Sequence, residues 1–309
     1  MKSGVSFNPD KDIPDLSGKV ILVTGGNAGL GLETVLQLAK HSPAHIYLGA
    51  RSEEKAQQAI KEVQEKVPNA PPITFLHLDL GSLSSTKAAA ASFRASSDRL
   101  DILVNNAGIM ATPEGLTEDG YEIQFGTNHV GHALLTKLLL PTLKATAATS
   151  SSDVRVVFLS SSAEGMAPKD SYHLDKAKTT MPHLGTWARY GQSKLANIHY
   201  SAALAKRHPD IKFISLNPGV VKTNLSKTFI NTSGALLGMA FKFVGYIMSK
   251  SVEEGALNQI WAATGRDVES GVFYSPVGVT GKGSALSNNE EVREQLWEWT
   301  EKELEPYVL

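Results

Sequence analysis

The chain has 309 residues, of which 42% are hydrophobic and 20% are charged, and its net charge at pH 7 is −1. This composition can bury a sizeable core and excludes a disordered chain, and the balanced charge gives no electrostatic reason to expect nucleic acid or an anionic membrane as partner. Because the chain has no cysteine, disulfides, thiolate metal sites and thiol nucleophiles are excluded, and catalysis must use hydroxyl, amine, carboxylate or imidazole groups.

Seven short runs rich in Val, Ile and Leu alternate along the chain with segments of helical period. Since these runs lack the polar alternation of a half-exposed sheet, they predict a parallel sheet with helices on both faces, an α/β, doubly wound fold. The predicted strands are Lys19–Thr24, His45–Gly49, Ile73–Leu78, Ile102–Asn105, Arg155–Ser160, Lys212–Asn217 and Gly271–Tyr274. No Pro/Ser-rich linker divides them, so we expect one domain over residues 1–309.

The first predicted strand leads directly into a glycine-rich run, and an amphipathic helix follows it from Leu32. The run is Thr24-Gly25-Gly26-Asn27-Ala28-Gly29-Leu30-Gly31. Glycines allow a tight turn and a close approach to a pyrophosphate, and the helix N-terminus offers N–H groups and partial positive charge. In this position between strand and helix the run indicates a dinucleotide-binding loop; an ordinary tight turn is the alternative.

The end of the second predicted strand indicates which dinucleotide is bound. Arg51 stands at this strand end, 20 residues after Gly31, where an acidic residue would select the 2′-hydroxyl of NAD. An arginine there accommodates a 2′-phosphate, so the sequence predicts NADP, with Lys55 adding positive charge. The alternative is that Arg51 is solvated and that Glu53 or Glu54 reaches the ribose.

Tyr190 and Lys194 are spaced four residues apart in a segment predicted to be helical, which places them on one face. A phenol with an ordinary pKa of about 10 is a poor base at neutral pH. A cation about 4 Å away contributes on the order of 4 kcal/mol at an effective dielectric constant of about 20, which bounds the fall of the pKa at roughly 3. We therefore expect Lys194 to lower the pKa of Tyr190 and make it an acid/base; taken alone, the pair could also be a surface contact.

Together, four motifs resemble those of the short-chain dehydrogenase/reductase family. They are the glycine loop, Asn105-Asn106-Ala107-Gly108, Tyr190-Gly191-Gln192-Ser193-Lys194 and Asn217-Pro218-Gly219-Val220-Val221-Lys222-Thr223. The Ala50-Arg51 strand end and the run Asn128-His129-Val130-Gly131-His132 resemble the retinol-dehydrogenase-like and WW-domain-oxidoreductase-like branch, in a fungal-type member without a WW domain. The resemblance spans residues 17–275 and implies a Rossmann fold.

The same resemblance implies roles for individual residues. Ser161 matches the catalytic serine, with Ser160 as the alternative register, and Asn128 matches a fourth catalytic position whose amide holds a water in a relay from Lys194. Asp79 is implied at the adenine, with a helix N-cap as its other interpretation. The implied cofactor contacts are Gly25, Asn27, Gly29, Leu30, Gly31, Arg51, Asp79, Asn106, Tyr190, Lys194, Val221 and Thr223.

The two histidines of the Asn128 run lie three residues apart and resemble metal ligands. Since His129 and His132 have no third ligand at a convincing spacing, and hydride transfer needs no metal, we expect no metal site.

Three segments are additions to the predicted sheet. Residues 162–189 are expected to be an insertion beside the substrate pocket, and residues 288–309 a C-terminal tail. The apolar segment 225–248 is expected to be a lid over the substrate; core packing, oligomer packing and contact with a membrane surface are its alternatives. The most apolar run within it, residues 233–248, is too short and too interrupted by Lys242 for a transmembrane helix, which needs about 20 apolar residues.

These observations predict an NADP(H)-dependent oxidoreductase that interconverts a carbonyl and an alcohol on a lipophilic or aromatic small molecule, such as a ketoreductase of secondary metabolism. A non-redox enzyme of a biosynthetic pathway, namely a dehydratase, isomerase or cyclase, is the alternative. A cofactor-sensing interaction protein is a third hypothesis, although loss of Tyr190 or Lys194 would be its usual sign. Because the N-terminus lacks a signal-peptide pattern, we expect a cytoplasmic protein, and the family resemblance implies a homodimer or homotetramer through the helices that carry Asn128 and Tyr190.

Overall fold

A computed structural model of the chain describes residues 4–149, 153–170, 172–221 and 250–308. Within these ranges seven parallel strands form one sheet in the order β3-β2-β1-β4-β5-β6-β7. The strands are β1 Val20–Thr24, β2 His45–Ala50, β3 Ile73–His77, β4 Ile102–Asn105, β5 Arg155–Leu159, β6 Lys212–Leu216 and β7 Phe273–Tyr274. The predicted parallel sheet is confirmed, and its strand ends differ from the prediction by at most two residues.

Helices connect the strands and extend beyond them. They are α1 Pro9–Asp12, α2 Gly29–Ala39, α3 Glu53–Lys66, α4 Leu83–Ser96, α5 Ile123–Phe125, α6 Gly131–Ala147, α7 Thr186–Arg207, α8 Val252–Thr264 and α9 Glu290–Val308. A π-helical segment, Gly126–Val130, joins α5 to α6, and short 3₁₀ turns lie at Ser162–Met166, Leu174–Lys176 and Leu286–Asn288. The lid predicted over residues 225–248 lies outside the described residues.

Alternate residues of each strand face opposite sides of the sheet, and both sides are apolar. In β1, Val20 and Leu22 belong to one core, while Ile21 and Val23 belong to the other. The first core is shared with α4, α6 and α7, and the second with α2 and α8. Burial on both sides is the reason that the strand sequences are continuous apolar runs rather than alternating ones.

The strand order reverses at β1, which lies between β2 and β4 in the sheet. The chain passes from β1 outward to β2 and β3, then returns to the other side of β1 as β4. The connections that follow β1 and β4 therefore leave in opposite directions and open a crevice at the carboxyl ends of these strands, where open α/β sheets bind ligands.

The predicted C-terminal tail contains α9, which packs on α6 and α7. Its own Leu296 and Leu304 are fully buried in the contact. Its Trp297 stacks on Tyr200 of α7 with ring centroids 5.5 Å apart, and its Glu301 forms a 2.6 Å ion pair with Lys137 of α6. These are the helices through which we expected copies of the chain to associate, so an interface there would have to include α9. In the described part of the chain, we find no helix with the length and apolar character needed to cross a membrane.

Candidate active site

The glycine loop after β1 is shaped to receive an anion. Gly25 and Gly29 have φ values of +65° and +52°, which favour glycine, and a Cβ on Gly31 would overlap the Gly25 carbonyl and lie 2.5 Å from the Asn106 Nδ2. Ala28, the N-cap of α2, provides no side-chain hydrogen bond to the first turn. The N–H groups of this turn can therefore bind a pyrophosphate, together with the positive end of the helix dipole.

The turn after β4 is fastened to the end of β1 by Thr24. Its hydroxyl accepts hydrogen bonds from the backbone N–H groups of Asn106 and Ala107, each 2.9 Å long, and its carbonyl accepts one of 2.7 Å from the Asn106 side chain. Asn106 is thus held against the glycine loop, at the position expected for a cofactor contact.

A cavity of about 620 Å³ occupies the crevice, a volume suited to a small-molecule ligand or cofactor. Most of the predicted cofactor residues line it, namely Gly25, Asn27, Gly29, Leu30, Arg51, Asp79, Asn106, Tyr190 and Lys194. Gly31 and Val221 do not line it, and Val221 instead forms a bridge to Lys250 beside Gly255. Thr223 lies outside the described residues.

One basic residue, Arg51, and two acidic residues, Glu53 and Glu54, are the candidates for the ribose contact. Arg51 is exposed and lines the cavity, whereas Glu53 and Glu54 lie in the first turn of α3 and do not. This arrangement favours Arg51 over either glutamate as the ribose contact. Asp79 is not the N-cap of α4, since Ser82 fills that position, and the Asp79 carboxylate instead accepts a 2.9 Å hydrogen bond from the Gly81 N–H.

Tyr190 and Lys194 lie together on α7 and are both 4% exposed. The Lys194 Nζ is 5.8 Å from the centre of the Tyr190 ring and donates a 3.0 Å hydrogen bond to the Leu159 carbonyl. Burial raises the pKa of Tyr190 to about 12, although a hydrogen bond with the Ser161 side chain partly offsets this, and burial lowers the pKa of Lys194 to about 8. The expected fall in the Tyr190 pKa is therefore wrong here, because burial disfavours the charged form of both groups.

The two candidate serines have different partners. Ser160 lines the cavity, but the residue is only 3% exposed and its hydroxyl donates a 2.7 Å hydrogen bond to the Lys194 carbonyl. Ser161 is partly exposed, and its hydroxyl is hydrogen-bonded to Tyr190 and accepts a hydrogen bond from the Ala163 N–H. The structure thus brings the Ser161 hydroxyl to Tyr190 and engages the Ser160 proton elsewhere.

Asn128 is fully buried in the π-helical segment and clamps two elements together. Its Nδ2 donates to the Ile109 carbonyl and the Ser193 hydroxyl, both at 2.9 Å, and its Oδ1 accepts a 2.8 Å hydrogen bond from the Ile109 N–H. Since both Nδ2 hydrogens are engaged, only one lone pair of Oδ1 is left for the water that we expected the amide to hold.

Two contributors to this site were not predicted. Gly108 lets the Asn128 side chain approach, since a Cβ there would lie 3.0 Å from the Asn128 Oδ1. Gln259 of α8 donates to the Leu30 carbonyl at 3.2 Å and to the Asn106 Oδ1 at 3.3 Å. Gly108 belongs to a recognised motif and could have been noticed, whereas a lone glutamine far along the chain carries no sequence signal.

The chain is similar to a known protein family and to individual relatives. A family model described as short chain dehydrogenase matches residues 19–174. An uncharacterized oxidoreductase of Schizosaccharomyces pombe is 41% identical, with 94% of this chain and 86% of the relative covered. Human retinol dehydrogenase 13 is 36% identical, with 91% and 83% covered.

Solved structures are similar as well. A putative uncharacterized protein from Mycobacterium paratuberculosis has a TM-score of 0.74 and 27% identity, with 97% of each chain covered. The NADPH-bound carbonyl reductase from chicken fatty liver has a TM-score of 0.61 and 25% identity, with 86% of this chain and 99% of that chain covered.

Proposed function

The chain belongs to the short-chain dehydrogenase/reductase family, in its retinol-dehydrogenase-like branch, and from this premise we propose that it is an NADP(H)-dependent oxidoreductase that interconverts a carbonyl and an alcohol. The observation that carries the proposal is one crevice with an anion-binding glycine loop at one end and Tyr190 and Lys194 at the other, with the Ser161 hydroxyl bonded to Tyr190. A dinucleotide that lies along this crevice would present its reactive ring to these side chains.

The residues along the crevice fit NADP. The pyrophosphate would rest on the N–H groups of the α2 N-terminus, and Arg51 would pair with the 2′-phosphate. Asp79 would contact the adenine and Asn106 the adenosine side; a role for Val221 and Thr223 at the nicotinamide amide stays a prediction of the family resemblance. When bound, the nicotinamide supplies or accepts the hydride. The similar carbonyl reductase was solved with NADPH, which agrees with this assignment.

The pKa of Tyr190 suits proton donation. At a pKa of about 12 the phenol is protonated at neutral pH and can give its proton to a carbonyl oxygen as that oxygen gains charge. The Ser161 hydroxyl can donate a hydrogen bond to the same oxygen. Lys194, with a pKa of about 8, can hold a proton at Nζ and return it toward the phenolate. These states favour the reductive direction, from ketone or aldehyde to alcohol.

Apolar side chains contribute to the cavity, and an aromatic ring lies beside Tyr190. Ile109 and Ile123 line the cavity, and the Trp187 ring meets the Tyr190 ring edge-on with centroids 6.1 Å apart. We extend the proposal to a lipophilic or aromatic carbonyl compound as substrate, because these groups offer few partners for a polyhydroxylated one. A ketoreductase role in secondary metabolism stays a prediction of the sequence.

The test is consumption of NADPH, followed by its absorbance, with a panel of aromatic ketones, aliphatic ketones and sugars. Tyr190→Phe should abolish turnover and leave the NADPH dissociation constant, measured by fluorescence titration, within about twofold of wild type. Tyr200→Phe is the matched control, because Tyr200 is a buried tyrosine of the same helix whose hydroxyl lies 3.5 Å from Glu301. It should retain turnover.

Three results would contradict the proposal. Tyr190→Phe could continue to oxidise NADPH, wild-type enzyme could prefer sugars, or product could form without NADPH consumption. The last of these would favour a dehydratase, isomerase or cyclase on the same scaffold.

A further inference from the structure

His132, near the start of α6, is a fully buried histidine whose two ring nitrogens both have partners close to the site. Its Nε2 lies 2.9 Å from the Thr24 hydroxyl at the end of β1, 108 residues away in sequence. Its Nδ1 lies 3.0 Å from the backbone carbonyl of Asn128 in the π-helical segment. One imidazole therefore joins the strand that leads into the glycine loop to the residue that clamps the Ile109 turn onto α7.

The direction of each hydrogen bond follows from the donors available. The Asn128 carbonyl can only accept, so the His132 Nδ1 carries the imidazole hydrogen and donates it there. The Nε2 of the neutral ring is then an acceptor. The Thr24 hydroxyl, which already accepts two backbone N–H groups and also lies 3.4 Å from the Val104 carbonyl, donates to this Nε2 over the shorter distance of 2.9 Å. Burial lowers the pKa of His132 to about 4, so the ring is neutral at physiological pH and both bonds keep their direction.

We propose that His132 is a positioning residue that couples the cofactor-binding end of the crevice to its proton-transfer end. The proposal rests on the proposed function and deepens it. The path runs from the Asn106-Ala107 turn through Thr24 and His132 to the Asn128 backbone. From Asn128 it continues through the side-chain amide to Ser193, which lies beside Lys194 on α7. A movement of the glycine loop would thus displace the groups that handle the proton.

His132→Asn is the variant to test, since its amide can reach the Nδ1 position and keep the Asn128 contact while the bond to Thr24 is lost. Displacement of reacting groups by about 1 Å can cost on the order of a hundredfold in rate. We expect kcat to fall by about tenfold or more, with the substrate KM and the NADPH dissociation constant within about threefold of wild type. A lower kcat with an unchanged KM and an unchanged NADPH dissociation constant is the result expected when reacting groups are displaced, and not when the fold is lost.

His199→Asn is the matched control. His199 lies in α7 and, like His132, is buried and has its pKa lowered to about 4 by burial. Like His132, it is bonded to a hydroxyl and a carbonyl, in this case the Tyr172 hydroxyl at 2.9 Å and the Leu286 carbonyl at 3.0 Å. It does not line the cavity. We expect His199→Asn to lower the melting temperature as much as His132→Asn does, but to keep kcat within about twofold of wild type.

A double-mutant cycle isolates the coupling itself. Thr24→Val should reduce kcat in the wild-type background and reduce it several-fold less in the His132→Asn background, because the bond between the two residues is already absent there. Thr24→Ser, which keeps the hydroxyl, should lose less kcat than Thr24→Val and should show no coupling defect with His132. Additive effects in the cycle would overturn the proposal, as would a normal kcat in His132→Asn.

The outcome is distinguishable from failure of the proposed function. If wild-type enzyme turns over no carbonyl compound, the proposed reaction is wrong, and the same cycle is then measured on the NADPH dissociation constant and on the free energy of unfolding. Measurable coupling between Thr24→Val and His132→Asn in NADPH binding, beside their coupling in unfolding, supports the proposal. Coupling in unfolding alone overturns it by reducing His132 to a contact that stabilises the fold.

Discussion

Replacing Lys194 by methionine should stabilise the protein at neutral pH while it removes activity. The Lys194 ammonium is buried, its described hydrogen bond is to the Leu159 carbonyl, and burial lowers its pKa from 10.5 to about 8. Because the folded-state pKa is the lower one, the unfolded chain binds this proton more tightly. The cost to stability is fully present below pH 8, and it disappears as pH rises towards 10.5, so stability should increase with pH across this window.

The size of the effect follows from the two pKa values. A difference of one pKa unit corresponds to about 1.4 kcal/mol, so the fall from 10.5 to about 8 amounts to about 3 kcal/mol at pH 7. Lys194→Met abolishes this cost and also gives up the hydrogen bond to the Leu159 carbonyl, which contributes about 1.5 kcal/mol. The net gain should be about 1 to 2 kcal/mol at pH 7 and close to zero near pH 9.5.

The assay is urea unfolding of wild type and Lys194→Met at pH 7 and pH 9.5, followed by tryptophan fluorescence. Lys61→Met is the control, because its side chain is 78% exposed and its replacement should change stability equally at the two pH values. If Lys194→Met is less stable than wild type at pH 7, or if the difference between them is the same at both pH values, the reasoning about the buried cation is wrong.

Three further predictions concern the cofactor and the serines. Arg51→Ala should weaken NADPH binding by about ten- to a hundredfold and leave NADH binding unchanged, because charged hydrogen bonds contribute about 1.5 to 3 kcal/mol; equal weakening in fluorescence titrations would show that Arg51 does not contact the 2′-phosphate. Gly31→Ala should abolish binding of both dinucleotides while the circular dichroism spectrum is retained, since its Cβ overlaps the Gly25 carbonyl; retained affinity would mean that the loop tolerates the shift. Ser161→Ala should reduce kcat by on the order of a hundredfold, as loss of an oxyanion donor does, whereas Ser160→Ala should mainly lower the melting temperature; the reverse result would assign the catalytic role to Ser160.

The sheet was predictable because burial on both faces leaves a simple signature. The runs Val20–Thr24 and Ile102–Asn105 are buried throughout and are apolar at every position except the last, and their ends fall within a residue of the prediction. The agreement is poorer for β7, predicted from Gly271 and observed at Phe273–Tyr274, because only two residues pair with β6 at the sheet edge. Edge pairing depends on where the neighbouring strand ends, which the strand's own residues do not encode.

The site was predictable only where its chemistry is local. The spacing of Tyr190 and Lys194 places both on one helical face, but the direction of their pKa shifts depends on how deeply α7 is buried. Likewise, the three consecutive serines after β5 are equivalent in sequence. In the structure the Ser160 hydroxyl donates its proton to the Lys194 carbonyl, 34 residues away, and the Ser161 hydroxyl is the one bonded to Tyr190.

By itself the sequence determined the parallel sheet, the glycine loop that opens α2 and the identity of the groups available for proton transfer, because these depend on side-chain type, on continuous apolar runs, on a spacing of four residues and on backbone freedom at glycine. Only the tertiary structure decided which groups are charged and which hydrogen bonds join the two ends of the crevice. Those properties arise from burial and from contacts such as Thr24 with His132 or Gln259 with Leu30, 108 and 229 residues apart. They exist only when the strands and helices are packed.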